Sequence, residues 1–268
     1  MKNGNQPKKR GLLKAALALT LLLSSCTQWK KGKPPGEWYE SYQPIQNPQA
    51  DLFVKQAISL TTTQFPDSIF PIKKIILRHS KKTTAAKNYR IAEHFSLTEC
   101  IDSTNGIFVI YIEVDPTHPS FYPLLGHECT HLINPKIFDW YMEGIATQFS
   151  EDLCKKEGKS WAEWTKRFNK NSTDPYALSY QMMHQIKQTV SPQTYAAILR
   201  YRAPNHFAPS RERIDIIAWL KTLSPKEQTK VISIIQHYEK QLLAHKSKQY
   251  DFTPISSSAQ ISFSTELQ

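Results

Sequence analysis

The pattern of apolar and polar positions divides the chain into two differently built halves. After Asn47-Pro48, the apolar residues Leu52, Phe53, Ala57 and Leu60 recur near helical spacing and predict a helix, which Phe65-Pro66-Asp67 stops. Strand-like patterning follows. Ile72–Leu77 is a strand candidate, Tyr89–Leu97 a less regular one, and Gly106–Val114 is an almost unbroken β-favouring run that ends at Asp115-Pro116. From Pro119 onward the pattern turns helical. Asp174-Pro175 and Ser191-Pro192 each place a capping side chain ahead of a proline at the first helical position, and Ser224-Pro225-Lys226-Glu227 adds the glutamate of a capping box. The helix opened there carries Val231, Ile235, Tyr238 and Leu242 on one stripe. A helix, a short sheet and then many helices predict an α+β fold.

The two ends depart from this pattern. Lys2, Lys8, Lys9, Arg10 and Lys14 form a basic leader, followed by the apolar run Ala15–Leu23. That run is shorter than the roughly 20 residues a membrane-crossing helix needs, and it reads as a secretory signal. It ends in Leu23-Ser24-Ser25-Cys26, which resembles a bacterial lipobox. The resemblance implies cleavage after residue 25, a lipid on Cys26 and attachment to the bacterial cell envelope. Where there are two membranes, Thr27 in place of an aspartate implies the outer one. Residues 26–49, polar and containing Pro34-Pro35-Gly36, read as a tether; 50–249 as one domain; and 250–268 as a polar, Ser-rich tail.

Composition narrows the partners. With 268 residues, 40% hydrophobic and 21% charged, the chain can bury a sizeable core, and its 8 Gly against 17 Pro exclude a Gly-rich low-complexity protein. No internal repeat is visible. The net charge is +11, but residues 1–25 carry five basic side chains and no acidic one, leaving +6 for the rest. Those charges are scattered, which argues against a nucleic-acid footprint and leaves the envelope membrane, through the lipid, as the expected surface. The sequence leaves the oligomeric state open. Besides Cys26, three cysteines remain, Cys100, Cys129 and Cys154; one disulfide and one free thiol are expected, with Cys100 to Cys154 the favoured pairing.

The chemistry lies in Gly126-His127-Glu128-Cys129-Thr130-His131, an H-E-x-x-H sequence. On a helix, residues i and i+4 share a face, so His127 and His131 can offer imidazole nitrogens to one metal ion. Glu128 lies about 100° round from His127, near enough to reach a water on that ion without displacing it. Cys129 is about 200° away and should face the core with Leu125 and Leu132. Ser120 can cap this helix and Asn134-Pro135 can end it. Two histidines do not complete a zinc site, which takes three protein ligands and one open position.

Twelve residues after His131 comes Trp140-Tyr141-Met142-Glu143-Gly144-Ile145-Ala146. Together the two motifs resemble the gluzincin metallopeptidases, in the branch whose second helix opens with Trp-x-x-Glu-Gly-x-Ala. The resemblance covers roughly residues 107–149 and weakens towards about residue 200. It implies a zincin-like fold, with the small sheet packed on the H-E-x-x-H helix and a mostly helical C-terminal half. It also implies Zn²⁺ held by His127, His131 and Glu143, with Glu128 as general base. Two departures stand out. The gap from His131 to Glu143 is shorter than in thermolysin-like enzymes, so Asn134-Pro135-Lys136 must turn the chain quickly. The acid that those enzymes place four residues after the third ligand, to support a histidine, is Thr147 here; Asp139, Glu151 and Asp152 are unranked substitutes. Related enzymes add a Tyr or His from a later helix to stabilise the oxyanion, and Tyr180 is favoured for that role, with His184 second.

The expected activity is hydrolysis of peptide bonds in a peptide or protein by metal-activated water. Strand 107–114 is expected to be the sheet edge along which an extended substrate pairs. The competing readings are a catalytically inactive zinc-binding envelope lipoprotein with a structural or interaction role, a metal-free tethering protein, and a metalloenzyme acting on another bond.

Overall fold

The structure is a computed structural model and describes residue 39 and residues 42–66, 71–81, 96–170, 173–245 and 250–256. Cys26, the leader, most of the tether and most of the Tyr89–Leu97 strand candidate lie outside the described residues. The described elements are β1 (Tyr42–Pro44), α1 (Pro48–Gln64), β2 (Lys74–Ser80), β3 (Leu97–Asp102) and β4 (Ile107–Ile112), followed by α2 (Phe121–Thr130), α3 (Trp140–Lys156), α4 (Ala162–Lys170) and α5 (Pro175–Thr189). Then come α6 (Pro192–Ala196), a 3₁₀ turn (Ala197–Arg200), β5 (Arg202–Pro204), β6 (Glu212–Ile214), α7 (Ile216–Leu220) and α8 (Pro225–Ala244). The fold is α+β.

Local chemistry sets the helix starts. Asn47, Asp174, Ser191 and Ser224 each accept backbone N–H bonds at an N-cap, with proline in the first turn, and Ser224 and Glu227 close the capping box. Ser120 does not cap α2: its backbone is already helical and its side chain makes no capping bond. On α1, Phe53 and Ala57 face the core beside Ala50 and Val54, whereas Leu52 points outward and is 47% exposed.

The larger sheet has the order β1-β2-β4-β3, with β2 parallel to β4 and the other pairs antiparallel. β4 is therefore an interior strand, hydrogen-bonded on both sides, and cannot be the edge that takes up a substrate. Its unbroken apolar run is what double-sided pairing and burial require. The outer strand next to it is β3. Gly106 turns β3 into β4 at φ 59°, and a Cβ there would lie 2.0 Å from the Pro71 carbonyl oxygen, so only glycine fits. Leu77, Phe108, Ile110 and Ile112 point into the main core, while Val109 and Tyr111 face the other side with Tyr42.

α2 packs on β3, β4 and α1, α3 packs on α2 and α5, and α5 packs on α8. Trp140, Tyr141, Met142, Ile145, Phe149 and Leu153 of α3 are all buried. Each such side chain contributes roughly 1.5–3 kcal/mol by its burial, which makes α3 the central helix of the core.

The second half is mostly helical, as expected, with β5 and β6 added as a two-stranded antiparallel sheet. Two expectations change. The domain limits 50–249 are too narrow. Tyr42–Pro44 pairs with β2, and at the other end Asp251, Phe252 and Ile255 are buried, with Trp140 N donating to Asp251 O (3.0 Å) and Asp251 N to Phe138 O (3.0 Å). The sequence at 250–256 hides these anchors, since its large hydrophobic residues, Tyr250, Phe252 and Ile255, follow no helical or strand period. The cysteines differ too. Cys100, Cys129 and Cys154 are all free thiols. Cys100 lies on β3 and Cys154 on α3, two elements that each pack on α2, and burial pushes the Cys154 thiol up to about 12, suiting an inert core residue.

Candidate metal centre

α2 is helical to Thr130, after which His131, Leu132 and Ile133 donate to carbonyls three residues back, at Glu128 (3.2 Å), Cys129 (3.2 Å) and Thr130 (3.1 Å). The last turn thus tightens without unwinding. His131 keeps helical backbone angles, φ −67° and ψ −12°, and its ring stays on the same side as that of His127. The connection is as short as the sequence demands. Asn134 Oδ1 accepts from Lys136 N (3.0 Å), and the Asn134 side-chain amide donates to Glu212 Oε2 (2.7 Å). Asp139 then caps α3 by accepting from Met142 N (2.7 Å), which places Glu143 in the first turn.

Two glycines let the helices come close enough for these side chains to meet. A Cβ on Gly126 would lie 2.8 Å from Ser150 Oγ and 3.2 Å from Ser150 Cα, so α2 crosses α3 at that point. A Cβ on Gly144 would lie 2.3 Å from the Ser179 carbonyl oxygen and 2.6 Å from Met183 Cγ, so α3 meets α5 there. Each glycine is adjacent to a candidate ligand, His127 or Glu143.

His127 Nε2 lies 3.0 Å from Glu143 Oε2, His131 Nε2 lies 3.6 Å from Glu143 Oε1, and the two Nε2 atoms are 3.3 Å apart. A tetrahedral ion with ligand bonds of about 2.0–2.2 Å separates its ligand atoms by about 3.3–3.6 Å. The spacing of the two Nε2 atoms falls in that range, and each of them faces a different oxygen of Glu143. The hydrogen-bond inventory points the same way. Thr147 Oγ1 spends its one proton on the Glu143 carbonyl (2.8 Å), so at His127 Nδ1 (3.2 Å) it must accept. With its ring proton on Nδ1, a neutral His127 keeps a lone pair on Nε2, facing a carboxylate oxygen and a second imidazole nitrogen. Such a convergence of electron pairs needs a cation or an added proton at its centre. His127, His131 and Glu143 form a buried group that can bind a metal ion.

The protonation tendencies of these side chains follow from burial and from one another. Burial favours the neutral Glu143 carboxyl, but the two histidines outweigh it and hold the group below its usual range. Burial takes His131 down to about 4, keeping its ring neutral and able to ligate. Burial also disfavours a charged His127, but its bond to Glu143 outweighs that and raises it. Glu128 is 4% exposed, and burial raises its carboxyl to about 7, against the pull of His127. Thr98 on β3 reaches this carboxylate, its Oγ1 lying 3.0 Å from Glu128 Oε2.

The side chains around the centre differ from those expected. The contacts Trp140–Tyr176, Gly144–Ser179, Gln148–His184 and Asp152–Lys187 advance together, so α3 and α5 run parallel. Tyr176 therefore sits beside the start of α3, with its ring 6.0 Å from that of His127. Tyr180 is one turn further on and its hydroxyl donates to Glu151, eight residues past Glu143 and so about 12 Å along the helix. The structure does not bring Tyr180 to the centre, nor His184, which bonds Gln148 and Gln188. Tyr176 donates to Tyr250 (3.4 Å), the Tyr250 ring leans on Trp140 at a tilt of 32° (4.8 Å between centroids), and the Trp164 ring lies 6.1 Å from that of His127. The buried indole N–H of Trp140 has no partner among the described residues.

No family model, curated protein or solved structure matches this chain. Of the three acids considered as support for a histidine, none serves. Asp139 is an N-cap that also accepts from Ile214 N, Glu151 pairs with Lys155, and Asp152 pairs with Lys187. Thr147 itself fills the role. Sequence reasoning also missed Thr98, Tyr176 and Tyr250 as neighbours of the centre. Tyr176 stands one helical turn before Tyr180 on α5; Thr98 and Tyr250 carried no signal in their own segments.

Proposed function

We propose that the protein is a zinc-dependent peptidase of gluzincin type with a zincin-like fold. In this reading His127, His131 and Glu143 hold the ion and Glu128 is the general base. The observation that carries it is the convergence of ligand atoms from His127, His131 and Glu143 within 4.8 Å of one another, with Glu128 next to His127 on α2. Two imidazoles and a carboxylate suit Zn²⁺ among the common divalent ions.

A bound ion would supply a Lewis acid that polarises a carbonyl and makes a water acidic. The chain supplies the rest. Glu128 takes a proton from the water as its oxygen adds to the peptide carbonyl carbon, and returns that proton to the nitrogen as the C–N bond breaks. The Tyr176 hydroxyl, turning from Tyr250, would serve in place of Tyr180 as the donor to the developing oxyanion. Thr147 fixes the His127 tautomer. An extended peptide would pair along β3, the strand from which Thr98 touches Glu128. Export and lipid attachment through Cys26 to the bacterial envelope complete the reading. Among the described residues no helix is long and apolar enough to cross a membrane.

One observation favours the second reading, a zinc-binding envelope lipoprotein without catalysis. His127, Glu128 and Glu143 are 4%, 4% and 2% exposed, as deeply covered as a structural site. Equilibrium zinc titration of the metal-free protein tests the metal that both readings share. About one zinc per chain is expected, with markedly weaker binding in Glu143→Ala; equal affinity in a folded Glu143→Ala protein overturns the ligand set.

A further inference from the structure

Glu128 is held at both ends by one hydroxyl from another element. Thr98 Oγ1 donates to the Glu128 main-chain carbonyl (2.7 Å) and lies 3.0 Å from Glu128 Oε2. The same carbonyl accepts His131 N–H (3.2 Å), so Thr98 grips the turn of chain that runs from the proposed base to the second proposed ligand. Thr98 itself is fixed by the β3–β4 ladder, opposite Ile110, and its β-branched side chain is stiff at χ1. A carboxylate side chain in a helix has several rotamers, and only those that keep Oε2 near β3 retain this contact.

We infer that Thr98 is the positioning residue for Glu128: its hydroxyl, presented by β3, holds Oε2 and leaves Oε1 as the oxygen that takes the water's proton. The inference deepens the peptidase reading and rests on it for its kinetic consequence, but the positioning is a statement about the side chain alone. One hydroxyl proton serves two acceptors, the carbonyl and Oε2. While it serves Oε2, the carbonyl keeps the His131 N–H as its partner. The strand that would pair with substrate would thus also set the aim of the base.

Two variants of the full chain test this, Thr98→Val and Thr98→Ser. Valine keeps the shape and favours a strand; serine keeps the hydroxyl. In crystal structures of the metal-free proteins, the Glu128 carboxylate should leave β3 in Thr98→Val and stay in Thr98→Ser. If it stays in place in Thr98→Val, the inference is overturned whether or not the protein is a peptidase. With zinc bound and a peptide that the wild type cleaves, Thr98→Val should keep zinc content and KM while kcat falls about 10- to 100-fold, the range for losing a hydrogen bond to a charged group. Thr98→Ser should recover most of that loss. An unchanged kcat in Thr98→Val, or a loss that serine does not recover, contradicts the inference. A wild type that binds zinc and cleaves nothing overturns the peptidase reading and leaves the crystallographic arm to decide on Thr98.

Discussion

Thr147 and Tyr176 show how single side chains shape the centre. Thr147 accepts from His127 Nδ1 and donates to the Glu143 carbonyl, so it touches both a proposed ligand and the backbone of another. Thr147→Val would leave a buried ring N–H without an acceptor. Zinc affinity in a chelator competition should fall about 10- to 100-fold, the usual effect of removing a ligand's outer partner, and Thr147→Ser should restore it. Unchanged affinity in Thr147→Val would mean that the tautomer is fixed some other way. Tyr176→Phe and Tyr180→Phe form the second comparison. Both should retain zinc, but peptide hydrolysis should fall towards 10²-fold in Tyr176→Phe and stay near wild type in Tyr180→Phe, whose hydroxyl serves only Glu151. The opposite ranking in a kinetic assay would return the oxyanion role to Tyr180.

At the scale of elements, the centre depends on how closely α2, α3 and α5 approach. Gly144→Ala would drive a Cβ to 2.3 Å from the Ser179 carbonyl, a backbone atom that cannot swing aside. Overpacking of this kind costs about 1–3 kcal/mol and should spread α3 from α5, so thermal unfolding should come several degrees lower and zinc affinity should drop. Gly158→Ala is the control. It has open space around it and only a positive φ of 62°, so it should lower stability by about 1 kcal/mol and leave zinc binding untouched. Equal zinc affinity in Gly144→Ala and wild type would show that the helix approach does not set the site. This scale also shows what the sequence could reveal. The H-E-x-x-H spacing, the Asn134 turn, the Asp174 and Ser224 caps and the β4 run all depend on residues within one or two turns of each other, and they were legible. Which of Tyr176 and Tyr180 faces Glu143 depends on the parallel packing of α3 against α5. That β4 is interior depends on β3 and β2 pairing on either side of it. Neither is written in a local period.

Across the whole molecule, the C-terminal segment ties distant parts to the start of α3. Tyr141 donates to the Thr253 carbonyl (2.9 Å), Arg213 to Thr253 Oγ1 (2.9 Å), and Ile255 N to Glu239 Oε2 (2.9 Å), while Asp251 holds His206. These bonds join α3, β6, α8 and the loop after β5, although the segment reads in sequence as a polar tail. Deleting residues 250–268 removes Phe252 and Ile255 from the core at roughly 1.5–3 kcal/mol each, and takes Tyr250 from Trp140. Denaturant unfolding should show a loss of several kcal/mol, and wild-type stability in the truncated protein would contradict the strap. The central claim spans the molecule as well, because β3, α2 and α3 must together hold a metal and aim a base. Its most direct test is hydrolysis of a peptide or protein substrate by wild type and Glu128→Gln, with zinc content measured on the same samples. Glutamine keeps the size and cannot take the water's proton at neutral pH. The account predicts about one zinc in both proteins and hydrolysis lowered by roughly 10²–10⁴-fold in Glu128→Gln; hydrolysis by Glu128→Gln at the wild-type rate, or a wild type without zinc, would contradict it.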